Sequence, residues 1–204
     1  PAAQFNNPCG ASVDGTPYLW MGSATTAPRQ MTTAAVDVSC GGTVCFDFKF
    51  VCESCGDSAP CEGADTYAEG VSLQCSTDGG TTWTDFAYFA PNGDLLTAYP
   101  GNVYSPYASG NTPFTTWQNY CFTIPAGCET NNTMFQLYQW GSSGAAYDHW
   151  GIDNFYVYAD ACAPYYYDWA HIPGSPDAQN VTTNVTQSGW YTCCYTNGIN
   201  SVCD

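Results

Sequence analysis

Apolar and polar residues alternate along most of the chain, and helical periodicity is nearly absent. The clearest stretch is 44–51, where Phe46, Phe48 and Phe50 fall on one face and Cys45, Asp47 and Lys49 fall on the other. A period of two is typical of a β-strand, since successive side chains point to opposite faces. The same pattern predicts further strands at 18–22, 30–38, 70–76, 82–89, 117–124, 134–140 and 150–158.

Gly, Pro, Asn and Asp separate these short strands, which is typical of a β-sandwich or jelly roll. Residues 90–115 are rich in Pro, Gly, Asn and Tyr and predict a long ordered loop. The composition changes near 159–163, and strand-like segments follow at 165–170, 180–185, 190–195 and 201–204. We therefore predict an all-β chain with a jelly-roll β-sandwich at 1–160 and a small β domain at 161–204.

The charge of the chain narrows the range of partners. Arg29 and Lys49 are the only basic residues against 18 acidic ones, so the formal net charge is −16. Nucleic acids and anionic membranes are bound by clustered Lys and Arg, so neither is an expected partner. No apolar run approaches the roughly 20 residues that span a bilayer, so we also expect no membrane insertion.

The cysteines indicate an oxidising compartment. The chain has 13 of them and only two His, which favours disulfides over metal sites. Zinc at Cys52, Cys55 and Cys61 is the alternative for that local cluster. The odd count implies one free thiol or a bridge to another molecule. We expect an extracellular or cell-surface protein.

Residues Ser76, Asp78, Gly80, Thr82 and Trp83 fit the Asp-box pattern S-x-D-x-G-x-T-W. The pattern predicts a hairpin turn in which the carboxylate bonds the turn backbone and the Trp packs beneath it. Sialidases repeat this box on each propeller blade and use several arginines for catalysis. With one box and one Arg, this chain favours a purely structural turn.

Seven segments in a fixed order resemble a reelin-type subrepeat: Cys9-Gly10, 29–33, 36–38, 45–48, 69–73 leading into the Asp box, 135–140 and 150–155. The closing segment, Trp150-Gly-Ile-Asp-Asn-Phe155, is the most specific of them. The resemblance covers most of 9–158. It implies a jelly roll with an extracellular adhesion or signalling role, as in large bacterial cell-surface adhesins, and no enzymatic activity.

The resemblance also implies a structural calcium ion at the rim of the sandwich. Calcium takes six to eight oxygen ligands, several of them carboxylates. The candidate ligands are Asp65, Glu69 and Asp153, with Asp47 behind them. The alternative is that each is an ordinary carboxylate at a turn or a strand end.

The tail resembles a different family. Cys162, Trp169 and Cys193, with Tyr191 two residues before the second Cys, resemble the Cys–Trp–Tyr-x-Cys arrangement of an immunoglobulin-like sandwich, or a short PKD-like repeat. The resemblance implies a disulfide between Cys162 and Cys193 with Trp169 packed on it. A full domain has seven strands, so this unit is small and incomplete and needs bridges or a neighbour.

This tail and the N-terminal arm indicate that copies of the chain assemble with one another. The arm, 1–7, precedes Cys9 and has no evident place in its own jelly roll. An exposed sheet edge pairs readily with an added strand. Our hypothesis is a repeating unit of a cell-surface adhesin or filament that joins neighbouring copies of itself end to end.

Catalysis is not expected. A glycosidase needs two suitably spaced carboxyl groups, and the E-x-D-x-x-E run of jelly-roll glucanases is absent from the sequence. His149 and His171 lack the sequence context of a serine triad.

Carbohydrate binding is the alternative function, because exposed aromatic rings stack on sugars. The candidate residues are Tyr99, Tyr104, Tyr107, Trp117 and 165–167, and the competing interpretation is that these rings cover core or inter-unit surface. Surface glycans are therefore the alternative partner. Three N-x-[ST] sequons, at Asn131, Asn180 and Asn184, are candidate glycosylation sites, although a Thr- and Asn-rich chain contains some by chance.

Overall fold

The computed structural model describes residues 3–5, 13–22, 28–51, 63–101, 112–145, 147–162, 166–169, 193–196 and 201–203. For the first and the last three of these ranges it describes the backbone alone. The chain divides into two compact units, Pro1–Asp160 and Ala161–Asp204. In these ranges no helix is both long and apolar enough to cross a bilayer.

The described residues of the first unit form two five-stranded antiparallel sheets. The first sheet has the order β1-β2-β10-β4-β8, and its strands are β1 (Ala3–Phe5), β2 (Leu19–Met21), β4 (Gly42–Phe50), β8 (Gln118–Thr123) and β10 (Trp150–Ala159). The second sheet has the order β3-β9-β5-β6-β7, and its strands are β3 (Arg29–Thr32), β5 (Val71–Ser76), β6 (Thr84–Phe89), β7 (Leu95–Leu96) and β9 (Met134–Gln139).

Within the described ranges, three short 3-10 helices connect the strands. They lie at Tyr67–Glu69, Pro113–Thr115 and Ala126–Cys128. In the strand orders given above, five of the eight pairs of neighbouring strands are not consecutive in sequence, as expected for a jelly roll, in which the chain crosses repeatedly between two sheets.

Aromatic side chains fill the space between the two sheets. Phe46, Phe48 and Phe50 from β4 are buried together with Phe89 from β6 and Trp150 from β10. The rings of Phe48 and Phe89 join the two sheets, with centroids 4.3 Å apart. The alternation predicted for 44–51 therefore gives the core face of the strand. The predicted all-β jelly-roll sandwich is confirmed.

Two elements differ from the sequence prediction. The segment predicted as one strand at 30–38 ends at Thr32, and Val36 then makes only an isolated bridge with Thr133. The N-terminal arm, expected to have no place in its own sandwich, forms β1 and pairs with β2 of the same sheet. The expectation was wrong because three residues suffice to extend an antiparallel edge. The arm therefore gives no argument for strand addition between copies.

The strands described in the second unit form a three-stranded antiparallel sheet with the order β11-β12-β13. Its strands are β11 (Tyr166–Trp169), β12 (Cys193–Thr196) and β13 (Ser201–Cys203). The predicted strand at 180–185 lies outside the described residues. The immunoglobulin-like assignment of this unit stays a prediction.

Disulfides hold the first unit together, as predicted. Cys45 and Cys121 bridge the neighbouring strands β4 and β8. Cys75 of β5 is bonded to Cys128 in the last 3-10 helix. Cys40 and Cys162 are disulfide-bonded as well. The candidate zinc cluster at Cys52, Cys55 and Cys61 lies outside the described residues.

Candidate functional site

The turn between β5 and β6 is organised by the carboxylate of Asp78. Its Oδ1 accepts the backbone N–H groups of Thr81 and Thr82 at 3.0 and 2.9 Å, and its Oδ2 accepts the Thr82 hydroxyl at 2.6 Å. Ser76 donates to Asp78 at 2.8 Å and accepts the backbone N–H of Gly80 at 2.9 Å. The Thr82 side chain and backbone, followed by Ser76, lower the pKa of Asp78 to about 2.

The same turn fixes Trp83. The indole Nε1–H donates to the carbonyl of Gly80 at 3.1 Å, and Gly80 has a φ of 87°, in the region that glycine favours. All five residues of the predicted Asp box thus lie in one turn. The Trp83 side chain stands at the border of an open groove.

This groove crosses the outer face of the second sheet, the face turned away from the core. Its volume is about 560 Å³. We call it the outer-face groove; its lining residues are Gln30, Thr32, Gln74, Gly80, Trp83, Met134, Gln136, Tyr138 and Trp140. A smaller recess of about 410 Å³ shares Gln74, Trp83 and Trp140 and adds Thr84, Asp85, Ala98 and Tyr99.

A row of polar side chains forms the floor of the groove. The strand register places Thr32 opposite Gln136, Gln136 opposite Gln74, and Gln74 opposite Asp85. The row therefore runs across four strands, a span of roughly 14 Å at about 4.8 Å per strand spacing. Thr32 donates its hydroxyl to Gln136 Oε1 at 3.3 Å.

Asp85 anchors one end of this row. Its carboxylate accepts Gln74 Nε2 at 2.7 Å, the Ser72 hydroxyl at 3.2 Å and the backbone N–H of Tyr99 at 2.7 Å. An ionised carboxylate only accepts hydrogen bonds, so it must face the amide nitrogen of Gln74. The Gln74 Oε1 is consequently directed away from Asp85.

Aromatic rings form the side of the groove opposite Trp83. Trp140 is 39% exposed, yet its indole Nε1–H donates to Ser72 at 2.8 Å. Tyr99 stacks on Trp140 with centroids 4.5 Å apart and an interplanar angle of 16°, and Tyr138 meets the same indole edge-on at 5.0 Å. Trp140 is thus an exposed ring held in one orientation.

Only part of this surface was foreseen. Tyr99, one of the predicted sugar-stacking residues, lies at the groove, whereas Trp117 packs against Tyr18 at 5.5 Å in a separate cluster. Tyr104, Tyr107 and Tyr165 lie outside the described residues, and for 166–167 only the backbone is described. Sequence reasoning missed Gln74, Gln136 and Trp140, although the alternation in 70–76 and 134–140 places them on the outer face.

A second cluster combines three carboxyl groups. One carboxylate oxygen from each of Asp65, Glu69 and Asp148 lies within 4.8 Å of the other two. Glu69 Oε2 accepts the backbone N–H groups of Asp65 and Thr66 at 2.9 and 2.8 Å, and its Oε1 accepts the Ser143 hydroxyl at 3.0 Å. The predicted Asp65 and Glu69 therefore meet, and the third member, Asp148, was missed.

Arg29 lies beside this cluster and is fully buried. Its guanidinium donates to the carbonyl oxygens of Gly144 at 2.7 Å, Tyr147 at 2.8 Å and Asp148 at 2.9 Å, and to Gln139 Oε1 at 3.2 Å. The guanidinium thereby fixes the segment that leads into β10. Asp148 adopts a φ of 56°, which is unusual for a residue other than glycine.

The carboxyl groups of this cluster influence each other. Burial, followed by the charge of Glu69, raises the pKa of Asp148 to about 8. For Glu69, burial acts to raise the pKa, but hydrogen bonds from Asp65, Thr66 and Ser143 outweigh it and leave the pKa below its ordinary value. Three carboxylates and one guanidinium leave two negative charges when all are ionised, which one divalent cation would neutralise.

The other two predicted calcium ligands lie together elsewhere. Asp47 and Asp153 oppose each other on β4 and β10. Asp47 accepts the side-chain amides of Asn119 at 3.0 Å and Asn154 at 2.8 Å, and burial raises the pKa of Asp153. The three-carboxyl group found in the described ranges includes neither residue. The four predicted ligands therefore divide between two places.

The remaining predicted residues are placed as follows. Cys162 is disulfide-bonded, while Cys193 lies in β12, where only the backbone is described. Asn131 lies exposed in a turn before β9, and Asn180 and Asn184 fall outside the described ranges. His149 is buried and accepts the indole N–H of Trp20 at 2.8 Å, which is a packing role.

Solved structures to which the chain is similar include carbohydrate-binding modules. TmCBM61, solved with β-1,4-galactotriose, has a TM-score of 0.42 and 15% identity, covering 78% of this chain and 83% of its own. CBM35 from Paenibacillus barcinonensis has a TM-score of 0.37 and 12% identity, covering 78% and 91%. CBM27-1 from Caldicellulosiruptor saccharolyticus, solved with mannohexaose, has a TM-score of 0.37 and 15% identity, covering 78% of this chain and 84% of its own.

No curated protein sequence matches the chain. The family model described as Reelin subrepeat B matches residues 2–158, which spans the two-sheet sandwich from β1 to the penultimate residue of β10. The predicted reelin-type jelly roll is thereby confirmed. The chain belongs to the reelin subrepeat B family.

Proposed function

We propose that this chain is an extracellular adhesion module whose adhesive surface is the outer-face groove. The observation that carries the proposal is the pair of indoles at the groove, the half-buried Trp83 and the exposed Trp140, each fixed by a hydrogen bond. Aromatic rings held in place contribute contact area at little entropic cost, and they are typical of binding surfaces.

Several features support an extracellular location. Cys45–Cys121 and Cys75–Cys128 are disulfides, and such bonds persist in oxidising compartments. The surface carries little positive charge, since Arg29 is buried and the net charge is −16. A partner rich in phosphate or sulfate would be repelled.

The proposal is binding without catalysis. Glycoside hydrolysis requires two carboxyl groups flanking the bond that breaks. Among the groove and recess residues that the structure describes, Asp85 is the one carboxyl group, and it already accepts three hydrogen bonds. Its role is to orient Gln74.

We also propose that Asp65, Glu69 and Asp148 hold a structural calcium ion. Ligand oxygens of one calcium ion lie about 2.3–2.6 Å from it, so two of them are at most roughly 5 Å apart. The three carboxylates meet this limit. When bound, the ion would supply the positive charge that the cluster lacks and would tie the start of the Tyr67–Glu69 helix to the segment before β10.

Adhesion is tested with the whole chain coupled to fluorescent beads. The beads are flowed over surfaces coated with neutral polysaccharide, acidic polysaccharide, collagen or albumin. We expect retention on at least one coating to exceed that of albumin-coated beads, and the double variant Trp83→Ala/Trp140→Ala to lose it. The matched control is Tyr156→Ala/Tyr158→Ala, which removes two exposed rings from the other sheet. Equal retention of both variants would contradict the proposed surface.

End-to-end assembly is the second candidate function, and one observation favours it. Tyr156 and Tyr158 of β10 are 51% and 55% exposed and stack with centroids 5.8 Å apart, close to the end of the first unit at Asp160. Exposed aromatic clusters are typical of protein interfaces. Sedimentation velocity over a concentration series tests this: oligomers that Tyr156→Ala/Tyr158→Ala dissolves would support assembly, and a monomer throughout would reject it.

A further inference from the structure

We propose that the outer-face groove binds a neutral glycan chain. Its sugar rings would pack against Trp83 and Trp140, and its hydroxyls would bond the amides of Gln74 and Gln136 on the floor. The inference rests on the proposed adhesive function of this face and adds the chemical class of the ligand. Four features of the groove support it.

The first feature is a matched acceptor and donor at the centre of the floor. Gln74 and Gln136 are directly opposite on β5 and β9 and only 4% and 3% exposed. Gln74 Nε2 donates a hydrogen bond to Asp85, and Gln136 Oε1 accepts one from the Thr32 hydroxyl. Within the described part of the chain, no protein group bonds the Gln74 Oε1 or the Gln136 Nε2.

One ligand hydroxyl can complete both Gln74 Oε1 and Gln136 Nε2. It donates one hydrogen bond and accepts others, so a single hydroxyl can donate to Gln74 Oε1 while it accepts from Gln136 Nε2. Both amides line the groove, so in the free protein they are open to water there, and a single hydroxyl that bonds both would replace that water. A ligand that carries many hydroxyls on a rigid frame is a sugar.

The second feature is the pair of indoles on opposite sides of this floor. One face of a sugar ring presents C–H groups, which pack on an aromatic ring, while its edge presents hydroxyls. Trp140 is held by Ser72 and Tyr99, and Trp83 is held by the Asp-box turn. Both rings are therefore in position before the ligand arrives, which lowers the ordering cost of binding.

The third feature is charge. The groove-lining residues in the described ranges include no Lys, Arg or His, and Asp85 lies at one end of the floor. The net charge of −16 also disfavours an anionic ligand. These observations select a neutral glycan over an acidic one.

The fourth feature favours a glycan over an extended peptide. Peptides that add to a sheet bond the main chain of an exposed edge strand. The floor of this groove is formed by side chains of β5 and β9, and each of these strands is paired on both sides. Its main-chain groups are thus already used, and only side-chain amides are offered.

The test is a titration calorimetry series with soluble oligosaccharides. The neutral probes are gluco-, manno-, galacto- and xylo-oligosaccharides, and the comparison probes are oligogalacturonides and unstructured peptides. We expect at least one neutral series to bind and the acidic series not to bind. Gln74→Leu, Gln136→Leu and Trp140→Ala should each weaken binding by about tenfold or more, because each removes a central contact.

Two controls separate loss of binding from loss of folding. Tyr156→Ala on the other sheet should leave affinity unchanged, and every variant should keep the wild-type circular dichroism spectrum and unfolding midpoint to within a few degrees. Trp140→Phe should retain more affinity than Trp140→Ala, since it keeps a ring but loses the bond to Ser72.

The outcomes distinguish the inference from the adhesive function. Beads retained on collagen, together with peptide binding and no glycan binding, would overturn the glycan inference and leave adhesion standing. Glycan binding that Gln74→Leu and Trp140→Ala do not change would also overturn it, because the ligand would bind elsewhere. No retention on any coating and no glycan binding would reject both.

Discussion

Replacing Arg29 with methionine should destabilise the first unit strongly. Arg29 is fully buried, and its guanidinium bonds three backbone carbonyls of the segment before β10 as well as Gln139. Methionine has a similar length but donates no hydrogen bond. The variant would leave these acceptors without their donor and would remove the positive charge beside Asp65, Glu69 and Asp148.

The size of this effect follows from the contacts. Three of the four acceptors keep a second donor: the Asp148 carbonyl keeps Gln139 Nε2 at 2.9 Å, Gln139 Oε1 keeps the Trp150 indole at 3.1 Å, and the Gly144 carbonyl keeps the Tyr147 N–H at 3.4 Å. The main losses are therefore the bond to the Tyr147 carbonyl and the buried positive charge. Each unsatisfied acceptor costs about 1–3 kcal/mol when buried, and breaking a buried charged contact typically costs about 3–5 kcal/mol in total. We therefore expect the free energy of unfolding to fall by about 3–5 kcal/mol. In a thermal melt, at about 2–4 °C per kcal/mol, the midpoint temperature should fall by at least roughly 6 °C.

The assay is urea unfolding followed by tryptophan fluorescence. The matched control is Lys49→Met, which removes the only other basic side chain and changes the net charge equally. Lys49 is half-buried on β4, so its replacement should cost well under half as much. A loss below about 1 kcal/mol for Arg29→Met, or an equal loss for both variants, would refute the anchoring role.

Three further predictions concern the turn, the disulfides and the metal. The pKa of Asp78 is lowered in the fold, so the stability that its carboxylate contributes is complete above its ordinary pKa near 3.8 and is lost as the pH falls towards about 2. The thermal unfolding midpoints of wild type and Asp78→Asn should therefore converge between pH 4 and pH 2. A difference between the two midpoints that stays constant over this range would contradict the prediction. Replacing both Cys75 and Cys128 with serine should cost about 2–4 kcal/mol in urea unfolding, and a change under about 1 kcal/mol would show that the bridge contributes little. Calcium at about a hundredfold excess over its Kd should add about 2.7 kcal/mol to the free energy of unfolding relative to a sample with chelator. Asp148→Asn should abolish this gain and Asp153→Asn should not. The reverse result would place the calcium site at Asp153 instead.

The sequence predicts the sandwich well because its core depends on a local pattern. Phe46, Phe48 and Phe50 alternate within one strand, and burial of one face is enough to fix the register. The strand predicted at 30–38 is too long because alternation continues past Thr32, where the pairing with β9 stops. Pairing depends on a partner distant in the sequence, which the local pattern does not reveal.

The candidate site is harder to predict for the same reason. Gln74 and Gln136 are 62 positions apart in the sequence (136 − 74), and only the neighbouring positions of β5 and β9 bring their amides together. Asp148 was missed because it lies in the segment before β10, in a left-handed conformation that Arg29 holds. By contrast, the Asp box was fully predictable, since Ser76, Asp78 and Thr82 bond within a single turn.

The indole N–H signals of the chain give the most direct test of the outer-face groove as the ligand-binding surface. The chain has 7 Trp, so a nitrogen–proton correlation spectrum contains seven such signals, and Trp83→Phe and Trp140→Phe assign two of them. On titration with a neutral oligosaccharide, the Trp83 and Trp140 signals should shift in a saturable way. The signals of the buried Trp20 and Trp150, which bond His149 and Gln139, should stay in place. Saturable shifts confined to other indoles, or no shift with any neutral oligosaccharide, would contradict the account.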